Sequence, residues 1–496
     1  MNRRLKKFLL LLLAAVLLAG VGGLQNSLNH DRDALGLTRV SPLENAPPML
    51  AFTTVALGGF RGLIANALWI RASELQENDK FFEMAQLADW ITKLEPHFVQ
   101  VWVVQAWNMA YNISVKFKDY PDRWNWVQRG IALLRDEGLR YNPNEMLLYR
   151  ELAGFFQHKM GANLDDANVF YKRAWFEEMS QVIRSEHPDY AALLNPQTDE
   201  VRERARVLRE TYKLDPAFMQ DCDERYGPLE WRLPEAHAVY WAAQGLAAAK
   251  ANPERVNQDD LLQLRRMIYQ SMQMAVVRGR AIVSAGGKLL DFAPNLEIIS
   301  KANDAYERAM REDEKNREHV KVGHRNFVRD AVYYLYTYNR EAEAAKWYAY
   351  LQKTYPKNPL IGGRPDTMPG TLTLDEFVFA RVEEEVGDTS RDKTKMILEG
   401  LLTTSFYSLA TGNDDRAAGF DRFAQKVWAR YQSKTTGTGE RIYIPPLNTI
   451  KQDVLRRLLD PERGFAPELA AQLRTALALP AATNSVPPAV NGRAPK

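Results

Sequence analysis

The chain of 496 residues is expected to be all-α, an irregular array of helical hairpins behind one amino-terminal apolar segment. Three observations carry that expectation. Apolar side chains recur at three- and four-residue steps along most of the chain, and prolines stop the resulting segments. The clearest pair of such segments lies at residues 327–356. An uncharged apolar run at 8–24 follows Arg3, Arg4, Lys6 and Lys7.

That apolar run is about long enough to cross a bilayer, which takes ~17 to 25 residues. The basic residues before it place the remainder of the chain outside the cytoplasm. Segment 1–24 is therefore expected to be a signal anchor, a single-pass transmembrane helix in a bacterial inner membrane. The same pattern describes a secretory signal peptide, whose cleavage would leave a secreted or periplasmic protein. The polar stretch 25–56, with Pro42, Pro47 and Pro48, is expected to be a linker.

Residues 57–176 are expected to form tryptophan-rich hairpins. Leu57-Gly58-Gly59 opens the first helix, and helices follow at 81–94, 99–113 and 123–139. Pro96 and Pro143 stop two of them. Six of the eleven tryptophans fall between 69 and 126, as a rigid aromatic core or a groove flanked by Asn108, Asn112 and Arg123. Tyr149, Leu152 and Phe156 then pair with Ala167, Tyr171 and Ala174.

An irregular insertion is expected at 177–230, where prolines interrupt and residues 202–210 make a charged helical face. Hairpins resume over 231–358. Glu235 and His237 stand two apart, so they do not face one another on a helix, and are expected to serve in capping and surface ion pairs. A long helix is expected over 261–283, with a turn at 285–288. In the hairpin at 327–356, Phe327, Ala331, Tyr334 and Tyr338 share one face. Asn339 is expected to cap the second helix, which carries Ala344, Tyr348 and Leu351. A loop and helix at 359–395, a last hairpin and cap at 396–479 and a disordered tail at 480–496 complete the chain.

Composition narrows the function classes. The 65 basic and 62 acidic residues nearly cancel, leaving no electrostatic footprint for nucleic acid. Cys222 is the only cysteine, so disulfides within the chain and cysteine-based zinc sites are excluded. The histidines form no His-x-x-x-His pair, no Gly-x-Ser-x-Gly elbow occurs, and Lys288 lacks a following Ser or Thr. No metal, cofactor or enzymatic activity is expected.

The spacing within 327–356 and 149–174 resembles the tetratricopeptide repeat (TPR) family, in a divergent, membrane-anchored bacterial form. Hairpin spacing departs from the family's steady ~34 residues. The resemblance implies an irregular TPR-like superhelix, an α-solenoid, that binds a partner protein on its inner surface. Carried over position by position, it selects Gln100, Trp107, Tyr111, Arg150, Gln157, His158, Arg325 and Tyr336 as partner-binding residues. The expected function is a membrane-tethered extracytoplasmic scaffold in secretion or envelope assembly. A glycan-cleaving cell-wall enzyme and a periplasmic assembly chaperone are the alternatives.

Overall fold

The computed structural model describes residues 60–480 apart from 163, 284–289, 362–363, 387–390, 436–443 and 462–463, together with scattered helical positions between Leu12 and Asp31. Most of the anchor segment, the turn at 285–288 and the tail beyond Pro480 lie outside the described residues. So does the expected linker, except that Ser27, Leu28, His30 and Asp31 are helical rather than irregular. Leu12, Leu13, Val16, Leu17, Val21 and Leu24 are all exposed. Among the described residues, no helix is long and apolar enough to cross a membrane.

The protein is mostly helical and divides into two compact units. The first ends at Leu148 and the second runs from Tyr149, with residues 119–124 belonging to the second.

In the first unit, α1 (Phe60–Glu77) and α2 (Phe81–Leu94) form a hairpin. Helix α3 (Val99–Trp107) continues as a π-helical turn, Asn108–Ile113. Helix α4 (Tyr120–Ala132), which belongs to this unit from Asn125 on, likewise runs into a π-helical turn, Leu133–Gly138. Ala72, Leu75, Met84 and Ile113 make one core cluster, and Ala65, Ala88, Ile91 and Val101 make another.

From Tyr149 the second unit takes up α5 (Met146–Gly154), extended by the π segment Phe155–Gly161, and α6 (Asn168–Val182). The expected insertion is helical: α7 (Tyr190–Leu194), α8 (Asp199–Glu210) and α9 (Pro216–Tyr226). Thr198 and Asp215 cap α8 and α9, their side chains accepting from the amides of Val201 and Ala217.

Helix α10 (Pro234–Ala251) is buried on every side through its first turns. Pro234 starts it, where a missing N–H costs nothing. Its partner α11 (Gln258–Arg278) ends earlier than expected. Residues 280–283 leave the helix as β1 (Arg280–Val283), which pairs antiparallel with β2 (Leu290–Ala293) in the register Arg280 to Ala293. The physical reason lies at Gly279, where a side chain would collide with Ala275.

Beyond the sheet come α12 (Ile299–Glu312), α13 (Arg317–Thr337), α14 (Glu341–Thr354) and α15 (Leu374–Val386). Helices α16 (Arg391–Thr411), α17 (Asp414–Thr435), α18 (Leu447–Leu458) and α19 (Pro467–Ala476) follow. The hairpin at 327–356 is present as α13 and α14, with Phe327, Ala331, Ala344 and Leu351 fully buried.

Asn339 does a different job from the one expected. Its φ of 63° is left-handed, and its amide donates to Tyr336 O at 3.1 Å while that of Arg340 donates to Leu335 O at 2.9 Å. That pairing closes the end of α13, so Asn339 stops the first helix instead of capping the second. The same turn joins two other helix pairs. Asp79, at φ 58°, joins α1 to α2 with bonds from Asp79 to Gln76 (3.1 Å) and Lys80 to Leu75 (2.9 Å). Gly412, at φ 85°, joins α16 to α17 with bonds from Gly412 to Leu409 (3.2 Å) and Asn413 to Ser408 (2.8 Å).

Candidate functional site

The first unit holds Gln100, Trp107 and Tyr111. Gln100 is exposed, and seven residues on, Trp107 lies on the same face of α3. Trp107 is 41% exposed and stacks on Tyr111 with ring centroids 5.5 Å apart and planes at 22°. The rest of the tryptophan set behaves differently. Trp102 is buried, its indole N–H donating to Pro96 O at 2.8 Å. Trp126 packs edge-on against Phe82 at 5.7 Å with the Arg129 guanidinium over its ring at 4.7 Å. Trp90 is exposed, whereas Trp124 belongs to the second unit, stacked on Tyr171 at 5.7 Å.

The polar residues expected to flank a groove are used inside the units. Asn108 is buried and donates to Phe81 O at 3.1 Å, and Asn112 donates to Asn108. Arg123 belongs to the second unit, buried against Asp165 at 2.7 Å.

In the second unit, Arg150 and Gln157 both reach α11. Arg150 pairs with Asp260 at 2.5 Å, and Gln157 donates to Ser271 Oγ at 2.9 Å and Met267 O at 3.1 Å. Gln157 is fully buried, which makes it a tie between helices, while His158 is exposed. Arg325 and Tyr336 line two separate hollows. One, of about 390 Å³, lies between Arg325, Lys321, Tyr355 and Lys357. In the other, of about 370 Å³, Tyr336 donates to Asp375 at 2.6 Å under the Lys426 ammonium, 4.7 Å from its ring.

A buried charged centre was not legible in the sequence. Glu235 and His237, expected at the surface, are both almost fully buried. Glu235 pairs with Lys172, and the Lys172 ammonium also lies 5.1 Å from the Phe292 ring of β2. Burial pulls the Lys172 ammonium below its ordinary range against the opposing pull of Glu235. The second carboxylate oxygen of Glu235 is buried without a hydrogen-bond partner among the described residues. His237 stacks on Phe156 at 5.1 Å, and its Nε2 lies 2.9 Å from Trp231 O.

The adjoining π segment supplies Lys159, paired with Asp165 at 2.5 Å, and Gly161, whose carbonyl accepts from Arg278. Burial acts to raise the Asp165 carboxyl, but the hydrogen bonds from Lys159 and the Ala167 amide, with Arg123 nearby, hold it below the usual range. Charges so enclosed and paired fix how α5, α6, α10 and α11 meet. The available signal was α10 itself, whose opening turns carry no polar face.

Among the described residues, no group of three His, Cys, Asp or Glu side chains is placed to hold a metal ion. Comparison with known proteins finds no matching family model, curated protein or solved structure.

Proposed function

We propose that the protein is a membrane-tethered extracytoplasmic scaffold of TPR-like hairpins, an α-solenoid, that binds a partner protein through Trp107 and Tyr111. The observation that carries this reading is the aromatic stack itself, exposed Trp107 on half-buried Tyr111. Aromatic side chains dominate the energetics of protein interfaces, and a pre-stacked pair loses little side-chain entropy on binding. Gln100, exposed on the same face, supplies a polar neighbour. The three hairpin turns of one design support the repeat character, and the basic residues before the run at 8–24 support the tether. A tether raises the local concentration of a membrane partner. The role requires no chemistry of the scaffold.

A photoreactive residue at Gln100 tests this while leaving the stack intact. In cells it should yield a discrete adduct with another protein. The same residue at exposed Glu203, on the charged face of α8, should not. No adduct at Gln100, or equal adducts at both positions, would overturn the reading.

A further inference from the structure

In the second unit, the ends of α9 and α10, the first half of α11 and the second half of α12 line an open hollow of about 410 Å³. None of the residues selected by the repeat resemblance lines it. Its floor is apolar, with Leu246, Leu261, Ile268 and Ala309 among its residues. Its charged rim is one-sided: Arg225, Lys250, Arg265 and Arg308 against Glu312.

Two of those cations are already engaged. Arg265 pairs with Glu312 at 2.9 Å, and Arg225 pairs with Asp221 one turn back on α9. Lys250 and Arg308 are exposed and form no ion pair among the described residues. The hollow therefore offers an apolar seat beside two cations with no acidic partner of their own. A bare inorganic anion would leave the floor uncovered, and an uncharged apolar group would leave both cations unanswered. The volume falls at the small end of the ~300 to 1,000 Å³ range of ligand pockets, which suits a few side chains.

We infer that this hollow docks a short acidic segment of a partner polypeptide, with an apolar side chain on the floor and carboxylates at Lys250 and Arg308. Charge complementarity commits the occupant, and exposed cations at the rim steer it in. This surface is independent of the Trp107 face, so either can fail without the other.

Selection of a phage-displayed random dodecapeptide library on the full-length protein, with counter-selection on the K250E/R308E variant, tests it. The expected result is enrichment of sequences that combine Asp or Glu with Leu, Ile, Val or Phe. An enriched peptide, measured by fluorescence anisotropy, should lose affinity on the order of tenfold in K250E/R308E and weaken with added salt. It should bind the K357E variant and the W107A/Y111A variant as it binds the parent protein. Both rim side chains are exposed, so an unchanged thermal midpoint in K250E/R308E separates lost binding from lost folding. Enrichment without an acidic excess overturns the inference, as does the absence of any peptide that distinguishes the parent from K250E/R308E. Displacement of the peptide by laurate at equal affinity also overturns it, since that would make the hollow a fatty-acid site.

Discussion

Lys172 and Glu235 meet where neither reaches solvent, and that location decides what each is worth. Removing water from two charges costs several kcal/mol, and their attraction offsets this only while both are present. Glu235→Gln should therefore destabilise the protein by about 3 to 5 kcal/mol in urea unfolding, because it strands Lys172. The paired change Lys172→Met with Glu235→Leu should recover most of that loss. His324 gives a second residue-level expectation. It is fully buried, with Nδ1 2.6 Å from the Tyr355 hydroxyl and Nε2 2.7 Å from Asn303 Oδ1. Burial pushes its pKa down to about 4, only partly opposed by Glu307. The unfolded chain, with a histidine near 6.5, binds the proton first on acidification. Stability from this group is thus complete above the unfolded value and is lost as pH falls toward the folded one. Between pH 7 and pH 5 the loss should be about 2 kcal/mol, and His324→Gln should show a shallower slope over that range. Nothing in the sequence marks His324 as buried, since its partners Asn303 and Tyr355 are 21 and 31 residues away.

The hairpin is the element on which sequence and structure agree best. Phe327 and Ala331 on the first helix, and Ala344, Tyr348 and Leu351 on the second, repeat at helical steps with no competing strand pattern, so their burial follows from periodicity. Turns are harder to read, because asparagine favours both a helix start and a left-handed helix end. At Asn339 the second role prevails. Asn339→Gly should leave the thermal midpoint nearly unchanged, whereas Asn339→Val should cost about 1 to 2 kcal/mol, since a β-branched residue resists positive φ. Equal stability of the two variants would mean that the turn is not left-handed. The helix read through to 283 ends at Arg278, closed by Gly279, and the three apolar residues Ala281, Ile282 and Val283 beyond it suit a strand as well as a helix. Packing against Gly419 is also tight: a methyl group there would overlap the Thr337 carbonyl at the end of α13. No local pattern announces such a contact.

At the scale of the molecule, a predominance of helix was legible from composition and spacing, whereas the division into two units was not. The tryptophans looked like one cluster because they are close in sequence, yet Trp124 and Trp126 belong to different units. Of the residues selected by resemblance, Gln157 and Tyr336 are buried, while Gln100, Trp107 and His158 remain accessible, the first two on one face of α3. That contrast makes the α3 face the central claim. Its most direct test is the yield of the Gln100 photo-adduct in a Trp107→Ala/Tyr111→Ala background, measured beside the thermal midpoint. A binding face predicts loss of the adduct on the order of tenfold or more, with little change in the midpoint. An adduct of undiminished yield, or a loss seen only together with unfolding, would contradict it.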